Sequence, residues 1–119
     1  MQHSMDQMSR EMERCIQECL DCHRVCVETG TYCLQMGGRH AKANHLRTLK
    51  DCDQICITSA DFMLRMSPLH TRACGLCAEV GVACAESGGQ FGNDRQMQMC
   101  AESCRRCAES CRQMASMRM

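Results

Sequence analysis

The sequence predicts an all-α protein, an antiparallel up-down-up-down four-helix bundle with a cysteine-lined core. No segment alternates polar and apolar residues for long enough to indicate a strand. Glycine pairs at 37–38 and 88–89 and a Ser67-Pro68 step divide the chain into four long segments. Cysteines recur at alternating steps of four and three, the spacing of a buried helical stripe. Short connections between long helices favour antiparallel neighbours.

The boundaries of the helices follow from these breaks. We expect one domain over residues 1–119, with helices at about 4–36, 41–66, 68–87 and 93–116. Gly37-Gly38 is a strong signal for the end of the first helix. Ser67 is predicted to cap the third helix and Pro68 to begin it, and Asn93 is predicted to cap the fourth.

Two segments repeat one cysteine pattern, Cys-x3-Cys-x2-Cys-x3-Cys, at residues 15–26 and 100–111. When the four helices are placed in register, every cysteine falls on an inward stripe that leucine would normally fill. The interior is therefore predicted to be the functional surface. The candidate metal ligands on these stripes are Cys15, Cys19, Cys22, Cys26, Cys33, Cys52, Cys56, Cys74, Cys77, Cys84, Cys100, Cys104, Cys107 and Cys111.

The charge balance and hydropathy exclude several classes of function. The chain has 14 basic and 14 acidic residues with no basic block, which gives no support for nucleic-acid or anionic-membrane binding. No run of apolar residues is long enough to span a membrane. Because the N-terminus resembles no signal peptide, we expect a cytoplasmic protein, in a compartment where disulfides are rare. Without a nucleophile–base pair, paired carboxylates or a phosphate loop, we expect a binding protein and not an enzyme.

Two interpretations of the thiol stripe need no metal. Free cysteine can act as a small buried hydrophobe, but fourteen in register would fill a close-packed core poorly. Disulfides within a helix are disfavoured, because Cβ atoms at i and i+4 lie about 5–6 Å apart and a disulfide requires about 3.5–4.5 Å. Disulfides between helices remain an alternative, as an oxidised form of the protein.

Iron, zinc and copper are the three candidate metals for these thiols. An iron–sulfur or zinc-binding redox protein is the alternative, yet ferredoxin ligands follow other spacings, commonly before a proline. Zinc would require separate tetrahedral sites along the bundle. Thiolates select Cu(I), and a thiolate that bridges two ions would let many Cu(I) ions fill one core. Each bound cation also offsets the charge left when a thiol loses its proton.

The residues resemble the bacterial copper storage proteins, most closely their cytosolic branch, over about residues 11–115. The matching elements are the run Cys15 to Cys26, Cys33, the pair Cys52-x3-Cys56, Cys74-Gly-Leu-Cys77 with Cys84, and the run Cys100 to Cys111. The resemblance implies a four-helix bundle that stores multiple Cu(I) ions per chain along its core, usually as a tetramer. It also implies a copper chaperone or a small-thiol carrier as the partner that exchanges copper.

The resemblance further implies that ions enter at the end that holds the first and third connections. Relatives often carry a histidine cluster before the last helix, but residues 86–99 of this chain contain neither histidine nor cysteine. The candidate ligands at that end are Met36, His40, His45 and Met97, of which we select Met36 and His45. At the opposite end we expect His70, Met12, Met63, Met66 and Met114, with the methionines plugging the core.

Overall fold

Four helices form the fold in a computed structural model that describes residues 2–117, with side chains from residue 10 onwards. They are α1 (Gln2–Met36), α2 (Ala43–Leu64), α3 (His70–Gly88) and α4 (Arg95–Ser116). The 3₁₀ turns Gly38–Ala41 and Gly89–Phe91 lie in the first and third connections and mark what we term the loop end. The far end holds the α2–α3 connection, residues 65–69. No strand occurs within residues 2–117, and the all-α prediction is confirmed.

Neighbouring helices are antiparallel and form a closed ring in the order α1, α2, α3, α4. On α1 and α4, Cys15 faces Cys111 and Cys26 faces Cys100, so the two helices run in opposite directions. The resulting rod measures 54 × 22 × 18 Å. None of the helices within residues 2–117 combines the length and the hydropathy that a membrane crossing requires.

The inward stripe agrees with the heptad pattern along most of its length. All fourteen cysteines are 0–1% exposed. The other stripe positions that are buried include Met12, Thr29, His45, Leu49, Ser59, Met63, His70, Met97 and Met114. Because cysteines, which are smaller than leucine, fill most of the stripe, the interior is a narrow column of sulfur and not an aliphatic core.

The stripe prediction is wrong at two helix ends, Met36 and Met66. Met36 is 53% exposed, since it is the last residue of α1 and Gly37 turns the chain away with a φ of 69°. Met66 is 63% exposed because α2 has already ended at Leu64, and Met66 itself has a positive φ of 56°. Heptad spacing holds only where the helix continues.

The starts of α3 and α4 also differ from the predictions. α3 begins at His70, two residues later than expected, because residues 67–69 form a turn in which the Ser67 hydroxyl accepts a hydrogen bond from the Leu69 amide at 3.1 Å. Asp94, and not Asn93, caps α4: its carboxylate accepts a hydrogen bond from the Met97 amide at 3.1 Å. A carboxylate at this position also complements the positive end of the helix dipole.

Helices α3 and α4 approach closely because α3 carries glycine on its inner face. A Cβ placed on Gly81 would lie 3.2 Å from both the Ala108 Cβ and the Cys104 carbonyl oxygen. The backbone oxygen cannot move aside as a flexible side chain would. Glycine at 81 therefore sets the distance at which the cysteines of α3 and α4 face each other.

Candidate metal centre

The sulfur atoms of the core fall into five groups, and within each group all Sγ atoms lie within 4.8 Å of one another. Every group draws cysteines from three helices. The groups are Cys15/Cys74/Cys111, Cys19/Cys77/Cys107/Cys111, Cys22/Cys56/Cys107, Cys22/Cys26/Cys52/Cys104 and Cys26/Cys84/Cys100/Cys104. Thirteen of the fourteen cysteines take part, and they define what we term the sulfur column.

Consecutive groups share cysteines. Starting from the far end, Cys111 joins the first group to the second, Cys107 the second to the third, and Cys22 the third to the fourth. Cys26 and Cys104 together join the fourth group to the fifth. The groups are thus not separate tetrahedral sites but one continuous array, in which a shared thiolate would bridge metal ions.

The spacing between sulfurs suits a metal ion and not a covalent bond. All fourteen cysteines are free thiols. Contacts range from 3.5 Å between Cys19 and Cys111 to 4.0 Å between Cys107 and Cys111. Two sulfurs at this separation can both reach one ion over bonds of about 2.3 Å, the length of a zinc–thiolate bond.

Burial among other thiols shifts the pKa values of the core cysteines in both directions. Burial raises the pKa of Cys33 to about 11. The pKa of Cys22 is lowered by its interactions with the thiols of Cys104 and Cys107. The pKa of Cys104 is raised by its contact with Cys100, together with burial. Thiols with raised pKa hold their protons in the absence of metal, so a bound cation must displace them.

Cys33 stands outside the five groups and has a different set of partners at the loop end. Its Sγ lies 3.4 Å from His45 Nε2 and 3.6 Å from Met97 Sδ. His45 Nδ1 lies 2.7 Å from the Ser87 hydroxyl, which orients the ring. Burial lowers the pKa of His45, so the imidazole is neutral near pH 7 and its Nε2 can act as a ligand.

A surface cavity of about 270 Å³ at the loop end reaches His45. The ring of Phe91 lines this cavity and lies 4.9 Å from the His45 ring, centroid to centroid. Arg39 also lines the cavity and lies over the Phe91 ring, with its guanidinium carbon 4.7 Å from the ring centroid. The cavity connects solvent with the histidine that contacts Cys33.

His40 is held away from the sulfur column. Its Nε2 lies 2.8 Å from Asp94 Oδ2, which also accepts a hydrogen bond from the Tyr32 hydroxyl at 2.8 Å. Burial opposes ionisation of Asp94, but the hydrogen bonds from Tyr32 and His40 prevail and lower its pKa. His40 thus fixes the α1–α2 connection against the start of α4.

Methionines close the column at the far end. Met63 Sδ lies 3.8 Å from Cys74 Sγ, and Met63 and Met114 are each 1% exposed. Met12 is 8% exposed, and His70 is fully buried. The expected position of these residues, apart from Met66, is therefore confirmed.

The structure brings together fifteen of the sixteen residues selected from the sequence: the fourteen cysteines and His45. It does not bring Met36 to them. Sequence reasoning gave no role to Ser87, whose hydroxyl orients His45. Ser87 lies outside the cysteine stripe of α3, and no spacing rule would have found it.

A four-helix bundle whose interior is a continuous array of free thiols defines a protein that binds several soft metal ions. The profile of the copper storage protein family (Csp) matches residues 8–116. The chain belongs to this family.

Solved structures of similar proteins have the same fold. A protein from Nitrosospira multiformis is 41% identical, with a TM-score of 0.86 over 91% of this chain and 97% of that one. The Cu(I)-bound copper storage protein BsCsp3 from Bacillus subtilis is 34% identical, with a TM-score of 0.84 over 89% and 99% of the two chains. A cytosolic copper storage protein from Streptomyces lividans, with five coppers, is 27% identical, with a TM-score of 0.85 over 92% and 96%.

Proposed function

We propose that this protein stores multiple Cu(I) ions on the thiolates of the sulfur column and so protects the cell from copper. The observation that carries the proposal is the sharing of cysteines between consecutive groups. Shared thiolates allow a string of ions to be held with fewer ligands than separate sites would need. Storage, and not catalysis, is the activity that this arrangement serves.

Copper fits the array better than the alternative metals. Structural zinc takes four ligands in closed tetrahedra, whereas the groups here overlap and two of them contain three thiols. Ferredoxin ligands occupy other spacings. Soft thiolates select Cu(I), and two relatives support this choice: BsCsp3 was solved bound to Cu(I), and the Streptomyces lividans protein with five coppers and with ten copper equivalents.

The proposed ligands are the fourteen cysteines, with His45 and Met97 completing the site at Cys33. Copper is admitted at the loop end, since the cavity there reaches His45. Met36 is excluded from this ligand set because its side chain is exposed. By analogy with the cytosolic relative, we place the protein in the cytoplasm, with exchange of copper through a chaperone or a small-thiol carrier. We also propose that it forms a homotetramer, as the family resemblance implies.

An anaerobic Cu(I) titration of the reduced protein against a competing chelator tests the proposal. We expect saturation at many ions per chain, because five groups of thiols are available. Saturation at one or two ions would contradict storage.

The absorption spectrum separates copper from iron. Cu(I)–thiolate has no visible band, whereas reconstitution of an iron–sulfur protein gives a brown solution. After anaerobic incubation with iron and sulfide, followed by desalting, we expect a colourless protein that still takes up Cu(I). A stable brown protein would favour the redox alternative.

A further inference from the structure

His70 at the far end is fully buried, yet one of its ring nitrogens lacks a partner. The residue has 0% exposure. Among the buried side-chain nitrogen and oxygen atoms of the described residues, Nε2 of His70 makes no hydrogen bond. Leaving such a group unsatisfied destabilises the folded state, so buried polar atoms are normally hydrogen-bonded.

The other ring nitrogen fixes the tautomer. Nδ1 lies 2.8 Å from the carbonyl oxygen of Ser67. A carbonyl can only accept, so Nδ1 carries the proton and Nε2 carries a lone pair. A histidine whose Nδ1–H donates to a backbone carbonyl while Nε2 stays free has the arrangement of a metal ligand.

The neighbours of His70 along the helices are soft ligands. His70 lies one turn before Cys74 on the buried face of α3, so the two side chains point the same way. The Cys74 Sγ contacts Met63 Sδ at 3.8 Å. Met12 on α1 and Met114 on α4 lie one turn beyond Cys15 and Cys111 and are buried. The nearest thiols thus belong to the terminal group of the sulfur column, Cys15/Cys74/Cys111.

We propose that His70 Nε2 is a Cu(I) ligand that completes a terminal site at the far end of the column, together with Cys74 and the thioether of Met63. The inference rests on the proposed storage of Cu(I). On binding, the Cys74 thiol loses its proton to solvent, and the Nε2 lone pair is donated to the ion. The ring releases no proton, because Nδ1 keeps its hydrogen and its bond to Ser67.

A site of this composition explains three features that a hydrophobic plug does not. A plug would be better made of leucine, which leaves no polar atom unpaired. The hydrogen bond from Nδ1 to the Ser67 carbonyl is of the kind that orients metal-bound histidines. The thioether of Met63 lies within contact distance of Cys74, where a soft ion can bind both sulfurs.

Nitrogen NMR of the whole protein, with ring-¹⁵N-labelled histidine, tests the proposal. The metal-free protein should show His70 as the Nδ1–H tautomer. As Cu(I) alone is added anaerobically, the His70 Nε2 resonance should move while Nδ1 stays protonated. His70→Leu assigns the signal. The control His23→Leu removes a half-buried histidine outside the column and should leave the His70 shift unchanged.

Copper content gives a second readout. His70→Leu should saturate about one ion per chain below wild type, whereas His23→Leu should reach the wild-type content. If wild type binds many Cu(I) ions but the His70 Nε2 resonance does not move through saturation, the terminal site is overturned and storage stands. If wild type binds only one or two ions, both proposals fail. The wild-type spectra decide the question even if His70→Leu does not fold.

Discussion

The two ends of the sulfur column present the same ligand in different surroundings. At each end a buried histidine is held through Nδ1 by an oxygen, from Ser87 for His45 and from Ser67 for His70. His45 Nε2 faces Cys33 and lies beside a cavity that opens to solvent, whereas His70 Nε2 is sealed inside. The same side chain can therefore admit an ion at one end and terminate the array at the other.

Each end also carries a phenylalanine under an arginine. Phe91 lies beneath Arg39 at the loop end, and Phe62 lies beneath Arg65 at the far end. Of the two rings, Phe91 packs against those of His40 and His45, whereas Phe62 contacts no histidine ring among the side chains described from residue 10 onwards. The difference between the ends thus comes from the connections and not from the ligands: the loop end has two 3₁₀ turns beside a cavity, and the far end has a short turn over buried methionines.

Replacing cysteines in the middle of the sulfur column should reduce the copper content more than any other change. Cys104 and Cys107 belong to four of the five groups, whereas Cys15 and Cys74 belong to one. The Cys104→Ser/Cys107→Ser variant should therefore lose about half or more of the wild-type copper content, measured by anaerobic titration.

The matched double variant Cys15→Ser/Cys74→Ser should lose only the terminal group. Both variants replace two buried thiols by hydroxyls, so circular dichroism should show similar helicity. Equal losses in the two variants would contradict a column of linked groups, and loss of all binding in the first would indicate one cooperative cluster.

Acid should weaken copper binding at the Cys33 site of the loop end. Burial raises the pKa of Cys33 to about 11, so its thiol is protonated at neutral pH and binding releases that proton. Affinity should therefore fall as the pH falls below 11, by about tenfold per pH unit for each proton released. His45 does not contribute to the pH dependence of copper affinity near pH 7, because its lowered pKa keeps the ring neutral.

Chelator competition between about pH 8 and about pH 6 measures this slope. Proton release in weakly buffered solution gives an independent value. An affinity that does not change over this range would mean that the thiols are already ionised before copper binds.

Changes at His45 should affect the rate of loading more than the final content. His45→Leu removes the ligand beside the cavity, so we expect stopped-flow uptake to slow about tenfold while the content falls by about one ion. Ser87→Ala keeps the ring but removes its oxygen partner and should give a smaller decrease. His70→Leu should leave the rate unchanged. Equal slowing by His45→Leu and His70→Leu would remove the distinction between the ends.

The smallest effect is expected from the phenylalanines. Phe91→Ala should widen the cavity beside His45 and speed uptake by about twofold or more. Phe62→Ala, the control, truncates the corresponding ring at the far end and should leave the rate unchanged. Slower uptake in Phe91→Ala would show that the ring orients His45 more than it obstructs the route.

Heptad spacing was enough to predict the four helices and the burial of every cysteine. Steps of three and four return to the same face, and that geometry is local to each helix. The pattern failed at Met36 and Met66, where the helices end and backbone geometry decides the direction of the side chain. The cap of α4 was also mispredicted, as Asn93 in place of Asp94, because the backbone geometry at the helix start decides which side chain reaches the Met97 amide.

The sequence could not predict which cysteines form each of the five sulfur groups. Which cysteines share an ion depends on the axial offset and on the distance between helices, and Gly81 allows the short distance between α3 and α4. The roles of Ser87 and of the Ser67 carbonyl depend on contacts between segments that the heptad pattern does not describe. The tautomer of His70 follows from its contact with the Ser67 carbonyl, which can only accept a hydrogen bond.

A core made of sulfur leaves the empty protein without the aliphatic packing that normally stabilises a bundle. Every group of the column draws on three helices, so an ion that binds thiols from different helices of a group ties those helices together. Ligands that bind only the native state raise its stability in proportion to their binding free energy. The metal load should thus set the lifetime of the molecule: proteases can clear empty chains quickly, while filled ones persist and retain the copper they hold.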